Sequence, residues 1–360
     1  ADVAPARLVR PAALAAASGP GAFAVPWDAV EVRAGTRLDM QLEEFTQVEH
    51  LVNGSTAEVF TAFLGAQPVV IKMVLPELAS DAVVLHDFGV ERDALSRVRH
   101  PHLVGFHGAG SHPRPFLVLE RLDGGSLAQM LGRTRVRDRR SRFRARRQFA
   151  YLDLLRVARE VAQALAFMHE GAVEGCTLLH RDLKPDNIGF TADGSTKVMD
   201  LGLCKLVKKR QTADEKYAMT GNTGSLRYMA PEVVRGEPYN EAADTYSLAI
   251  IMWQMAKQKK PFDLFSREQF MREVVHAGAR PKLSSHWPPE FNDLVRRCWD
   301  QDPLRRPPVA EVVQHLERML AAAAVNAAPG QEGQPGPERP ASLRGLLQRI
   351  SSHDRHSSWF

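Results

Sequence analysis

Eight consecutive residues, His180-Arg181-Asp182-Leu183-Lys184-Pro185-Asp186-Asn187, constrain this chain more than any other stretch. They place a carboxylate base at Asp182, an ammonium group at Lys184 and an amide at Asn187 within one short segment. A carboxylate holds a proton, an ammonium group steadies an anion, and an amide oxygen is a hard donor suited to Mg²⁺. The run is incomplete alone, so the order of the residues around it decides what it means.

Before the run, the pattern is strand-like. Segments 45–51, 58–64 and 69–74 are apolar and are separated by Asn53-Gly54-Ser55 and Gly65-Ala66-Gln67-Pro68, which carry hairpin turn chemistry. A helix is predicted over 83–99, then strands near 103–108 and 115–120. After Gly124-Gly125 the character becomes helical. Over 151–170, Leu152, Leu155, Ala158, Val161, Ala162, Leu165 and Met168 recur at spacings of three and four, which is one apolar helix face. Further helices are predicted over 241–257, 266–276, 289–299 and 308–324. A small β-rich lobe followed by a larger helical lobe is an α+β, bilobal arrangement. The predicted organisation is an Ala- and Pro-rich flank over 1–44, a domain over 45–320 with its lobes meeting at 122/123, and a flexible tail over 321–360.

The run and its companions resemble the eukaryotic protein kinase family. His180–Asn187 resembles the catalytic loop H-R-D-L-x-x-x-N, Val69-Val70-Ile71-Lys72 resembles the strand V-A-I-K, and Asp200-Leu201-Gly202 corresponds to D-F-G. Glu91 sits nine residues before His100-Pro101, as kinases place the helix Glu that pairs with the strand Lys. Met229-Ala230-Pro231-Glu232 resembles the A-P-E that closes the activation segment. Asp244-Thr245-Tyr246-Ser247 resembles the helix start beneath the catalytic loop. The run Cys298-Trp299-Asp300-Gln301-Asp302-Pro303-Leu304-Arg305-Arg306-Pro307 resembles C-W-x-x-D-P-x-x-R-P.

The resemblance implies phosphoryl transfer from ATP with Mg²⁺ as cofactor. It makes Asp182 the residue that aligns the substrate hydroxyl, and Lys184 the one that steadies the moving phosphoryl group. Asn187 and Asp200 become the metal ligands. Lys72, oriented by Glu91, holds the α- and β-phosphates. Val52, Gly54, Val59, Val70, Leu119, Glu120, Leu122 and Gly189 line the nucleotide site, with Leu119 at the gatekeeper position and residues 120–122 as the hinge. Glu232 pairs with Arg306 as a structural brace. Arg181 is placed to bind an activation-segment phosphate, and Thr220 and Thr223 are the candidate acceptors of one. Lys184 is the Ser/Thr-kinase form, and C-W-x-x-D-P is shared with tyrosine kinases. Together they resemble the tyrosine kinase-like group, as found in algae, protists and plants.

Two places depart from the family pattern. The glycine-rich loop reads Val52-Asn53-Gly54-Ser55-Thr56-Ala57-Glu58-Val59, keeping only the middle glycine of G-x-G-x-x-G-x-V. Glycines let this backbone fold closely over phosphates. In the adenine slot, Val70 stands for the usual Ala and Gly189 for the usual Leu, so pocket volume is redistributed rather than closed.

Charge and cysteines bound the rest. The 360 residues carry +5, yet the stretch from Arg133 to Arg147 holds nine arginines and one acid, so it contributes +8 and the remainder carries −3. The sequence pI of about 9.2 is thus a local property. This insertion suits an acidic partner or a membrane surface. Phe143 and Phe149 give little aromatic interleaving, so no specific nucleic-acid partner is expected. Cys176, Cys204 and Cys298 lack metal-ligand spacing and read as reduced thiols, which fits an intracellular, cytoplasmic protein. No apolar run spans a bilayer. Protein Ser/Thr substrates and a monomer are expected. A pseudokinase scaffold is the alternative, supported by the altered glycine-rich loop. A nucleic-acid-binding protein built on the arginine run explains none of the other motifs.

Overall fold

The computed structural model describes residues 23–133, 150–221 and 224–326. The run from Arg133 to Arg147 lies outside them apart from the Arg133 backbone, as do Thr223 and the tail beyond residue 326.

Strands form where apolar residues alternate or run together. They are β1 (Phe45–Asn53), β2 (Ala57–Leu64), β3 (Gln67–Val74), β4 (Phe106–Gly110) and β5 (Phe116–Glu120). These form one antiparallel sheet in the order β1-β2-β3-β5-β4. In β2, buried Ala57 and Val59 alternate with half-buried Glu58 and Phe60, the period of a strand with one covered face. β3 is buried from Val69 to Val74, as a central strand covered on both sides must be. One sheet face closes over a small core of Met40, Phe45, Ala62, Val69, Ile71, Met73, Phe116 and Val118. The other face packs Leu117 and Leu119 toward helix α1 (Ala82–Arg97), whose Asp81 caps the Val83 and Val84 amides at 2.9 and 3.0 Å.

The second lobe holds α2 (Leu127–Arg133), α3 (Tyr151–Ala166), α4 (Pro231–Val234), α5 (Ala242–Lys257), α6 (Arg267–Gln269), α7 (Pro289–Cys298) and α8 (Val309–Asn326). Its short strands are β6 (Cys176–Leu179), β7 (Ile188–Phe190), β8 (Thr196–Val198) and β9 (Lys205–Lys208). Helix α5 is buried from Ala243 to Met255, so it runs through the centre of the lobe. The architecture is the expected bilobal α+β fold.

Three details differ from the sequence reading. The apolar face of α3 takes in Leu154 and Val157, while Leu152 is exposed. Residues 23–44, assigned to the flank, pack against both lobes, with Val30 and Met40 nearly inaccessible to solvent. Helix α8 continues to Asn326, past the expected boundary at residue 320. No described helix is long and apolar enough to cross a membrane. The three cysteines are buried and unpaired.

Candidate active site

The site gathers where the two lobes meet. On the sheet side, β3 presents Lys72 and α1 presents Glu91. Lys72 Nζ lies 2.7 Å from Glu91 Oε2 and 3.4 Å from Asp200 Oδ1. Burial works against the ammonium charge, but the Asp200 and Glu91 carboxylates outweigh it and raise the Lys72 pKa above the ordinary lysine value. Lys72 is therefore a fixed positive charge. Burial, with Asp200 nearby, raises the Glu91 pKa against the pull of Lys72 and the Leu201 backbone N–H.

Across the cleft, the hairpin of β7 and β8 brings Asn187 to Asp200. Ile188 pairs with Val198, and the Met199 N–H donates to the Asn187 carbonyl at 3.0 Å. Burial acts to raise the Asp200 pKa, yet Lys72, Lys184 and His180 together bring it below the ordinary Asp value. Asp200 is thus ionised. Arg181 and Asp200 adopt left-handed φ of 70° and 64°. Such backbone is strained for residues with a Cβ and concentrates at functional sites.

Asp182 is surrounded by donors. Lys184 Nζ reaches its Oδ2 at 2.6 Å, and Asn187 Nδ2 donates to its carbonyl at 2.9 Å. The Ser225 N–H donates to Oδ1 at 2.8 Å. Gly224 makes this approach possible: its φ is 102°, and a Cβ there would lie 2.7 Å from the Arg181 carbonyl oxygen. Because the Asn187 amide nitrogen turns to Asp182, its oxygen is the atom left for a cation. An amide oxygen and an ionised carboxylate are hard donors that fit Mg²⁺, which keeps waters and takes phosphate oxygens as well. Among the described residues no group of three or more His, Cys, Asp or Glu gathers as a metal cage, and a phosphate-bridging Mg²⁺ does not require one.

Below the loop, Asp244 at the start of α5 accepts the backbone N–H groups of His180 and Arg181, each at 2.9 Å, and contacts His169 Nε2 at 2.9 Å. Burial raises the Asp244 pKa, but His169, His180 and the Arg181 N–H overcome this and lower it. The Asp182 N–H donates to His180 Nδ1, so the imidazole proton sits on Nε2 and points to the Met199 carbonyl at 3.3 Å. The loop is thereby held by buried hydrogen bonds on three sides.

The nucleotide-lining candidates fall together. Val52 pairs with Val59 across β1 and β2, and Val70 with Leu119 across β3 and β5. The Gly54 N–H closes the first hairpin on the Ala57 carbonyl at 2.8 Å. Leu122 fills the space above Gly189, where an added Cβ would lie 2.5 Å from Leu122 Cδ1. The space that a larger side chain would take at Gly189 is therefore occupied by Leu122. Glu120 uses its side chain to accept Gly105 N–H and to pair with Lys197, each at 2.9 Å, so the hinge is braced to β8. Leu201 is fully buried.

Arg181 donates to Tyr239 Oη at 2.6 Å, to the Leu203 carbonyl at 3.1 Å and to Thr220 Oγ1 at 2.6 Å. Arg306 donates to both Glu232 carboxylate oxygens, at 2.6 and 2.8 Å. The sequence reading missed His169, Tyr239 and the Glu120–Lys197 brace. Each lies far from its partner in the chain, and no local pattern signals the pairing.

The comparisons with known proteins agree with this geometry. Residues 45–316 match the family described as protein tyrosine and serine/threonine kinase. The serine/threonine-protein kinase VIK of Arabidopsis thaliana is 32% identical over 280 residues, covering 77% of this chain and 60% of that protein. The serine/threonine-protein kinase STY17 of Arabidopsis thaliana is 32% identical over 268 residues, 74% of this chain and 43% of that protein. Human mitogen-activated protein kinase kinase kinase 7 is 32% identical over 277 residues, 76% of this chain and 42% of that protein. The chain thus spans about half the length of these relatives. With its two lobes and its clustered Lys72, Glu91, Asp182, Asn187 and Asp200, the chain belongs to the protein tyrosine and serine/threonine kinase family, as a kinase domain related to plant and animal Ser/Thr kinases of the tyrosine kinase-like group.

Proposed function

We propose that the chain is an active protein serine/threonine kinase that moves the γ-phosphoryl group of ATP to Ser and Thr hydroxyls of protein substrates. The observation that carries this reading is the Lys72–Glu91 pair at 2.7 Å, set against Asp200 with Asp182, Lys184 and Asn187 across the cleft. Lys72 binds the α- and β-phosphates as a charge whose direction Glu91 fixes. Asp182 accepts the hydrogen bond of the substrate hydroxyl and aligns its oxygen. Lys184 leaves Asp182 for the phosphoryl oxygens as charge develops there. Asn187 and Asp200 hold Mg²⁺, which when bound neutralises phosphate charge. Leu122 and Val70 close on adenine from floor and roof, and the backbone of residues 120–122 reads its edge.

Arg181 makes the enzyme switchable, since it already reaches Thr220, and phosphorylation of Thr220 or Thr223 activates it. Unpaired, buried cysteine thiols support an intracellular site of action. We assign the kinase a monomeric state, and the run from Arg133 to Arg147 an acidic partner or membrane surface.

The test is Mg-ATP phosphate transfer to a generic Ser/Thr-rich protein, wild type beside Asp182→Asn. Transfer that falls by about 10²-fold or more in the variant, with ATP binding retained, is expected. ATP binding without transfer in both proteins would establish the scaffold reading, which the altered Val52–Ala57 loop favours.

A further inference from the structure

Residues 23–40 precede the first strand of the sheet, yet they are built into three parts of the molecule. The first attachment is to the activation segment. Ala24 bridges Val207 in antiparallel sense, the Val25 N–H donates to the Leu206 carbonyl at 3.0 Å, and the Lys208 N–H donates to the Phe23 carbonyl at 2.8 Å. A short strand is thereby added to the edge of β9. The Phe23 ring lies 5.4 Å from the ring of Tyr217, farther along the same segment.

The second attachment is to the end of α1. The last carbonyls of a helix have no partner within it. Here Arg33 supplies one: its side chain donates to the Leu95 and Ser96 carbonyls at 3.2 and 3.3 Å, and its backbone N–H donates to Ser96 at 3.1 Å. In return, buried Arg97 donates to the Val30 carbonyl at 2.7 Å. The third attachment is to β4, where the Met40 N–H donates to the Ala109 carbonyl and the Ala109 N–H to the Arg37 carbonyl, each at 2.9 Å. Gly108 and Gly110 clear this path, since a Cβ on either would lie 2.3 Å from a Met40 atom.

The attachments bracket the site. Glu91 is on α1, less than two turns before the capped carbonyls. Asp200 is five residues before β9. The Lys72–Glu91–Asp200 cluster therefore spans the two elements that the segment fastens. We propose that residues 23–40 form a strap that positions this cluster by holding α1 and β9 at a fixed separation. Tension on one attachment is passed to the other because Val25 and Arg33 are only eight residues apart, with the Trp27–Ala29 turn packed between them. The strap residues are positioning residues. None touches the carboxylates or the ammonium group.

The catalytic consequence rests on the kinase reading above, but the mechanical one does not. The test is hydrogen exchange of the full chain, resolved over β9 and over residues 88–97, for wild type, Val25→Asp, Arg33→Ala and Arg33→Lys. Arg33→Ala removes the side-chain hydrogen bonds to α1, and Val25→Asp places a charge at the buried residue whose backbone is bonded to β9. Each is expected to speed exchange about tenfold at both places and to lower kcat/KM for ATP about tenfold, with Arg33→Lys restoring part of both. Loosening confined to the end that each variant touches overturns the strap. If Val25→Asp does not fold, Arg33→Ala decides alone, through exchange at 205–208. Should the wild type transfer no phosphate, the kinase reading fails while exchange still decides the strap.

Discussion

Arg306 holds Glu232 with both guanidinium nitrogens, at 2.6 and 2.8 Å, across 74 residues of chain. The Arg306 side chain is fully buried, also donates to the Ala242 carbonyl at 3.1 Å, and lies over the Tyr246 ring at 5.1 Å. The pair fastens the end of the activation segment to the core of the helical lobe. Removing one partner strands a buried charge, which typically costs about 3–5 kcal/mol. Arg306→Met is expected to lose that much in urea unfolding. Adding Glu232→Leu should recover most of it, since the stranded charge is gone. A double variant no more stable than Arg306→Met alone would show that the pair is net stabilising rather than a brace.

Thr220 already lies against Arg181, so little rearrangement is needed to place a phosphate there. A phosphate adds about −1.5 to −2 charges and strong acceptor oxygens. Dephosphorylated protein, or the Thr220→Ala/Thr223→Ala double variant, is expected to transfer phosphate about tenfold more slowly than the phosphorylated form. Undiminished transfer by the double variant removes the switch.

Leu122 takes the space that Gly189 vacates. Gly189→Leu should push Leu122 into the adenine slot and weaken ATP binding about tenfold, whereas Gly189→Leu with Leu122→Ala should restore it, because summed volume is conserved. Calorimetry with ATP reads both. Equal weakening in single and double variants would show that the two side chains do not share one space.

Gly224 lets the activation segment approach the catalytic loop. In Gly224→Ala the new methyl meets the Arg181 carbonyl oxygen at 2.7 Å and Asp182 Oδ1 at 3.0 Å, on backbone with φ of 102°. The loop must move, and a displacement of this size costs about 10²-fold in rate when alignment matters. ATP affinity should stay near the wild-type value, because Lys72 and Asp200 are untouched. Single-turnover measurements separate the two effects.

His100 gives the stability a pH dependence. Burial, with His102 and Lys197 nearby, lowers its pKa to about 4. Its Nδ1 accepts the His102 N–H at 3.1 Å, and its ring stacks on Phe167 at 4.9 Å, both suited to the neutral form. The folded pKa lies below the unfolded one, so the unfolded chain binds more protons between about pH 4 and 6.5. Stability is therefore complete above that window and falls as pH drops through it. After discounting for partial exposure, about 2 kcal/mol is lost. Denaturation of His100→Asn should show a flatter profile from pH 6.5 to 4.

The sequence by itself determined the family, the lobes and the residues at the centre of the site, because these are local patterns. Strand alternation and helix spacing are written at short range, and His180–Asn187, Asp200–Gly202 and Val69–Lys72 are contiguous runs that match the family pattern. The hairpin of Ile188–Phe190 and Thr196–Val198 is likewise a short-range feature, since Asp193-Gly194 between them carries turn chemistry. Only the tertiary structure decided what holds these parts together. His169 reaches Asp244 across 75 residues, Glu120 reaches Lys197, and Arg33 caps a helix 62 residues away. An alanine- and proline-rich start read as a flank because its composition promises little burial. Yet residues 23–40 found unpaired carbonyls at the end of α1 and an open edge on β9. Unmet hydrogen-bonding groups of this kind exist only after the rest of the chain has folded, so no local pattern can announce them.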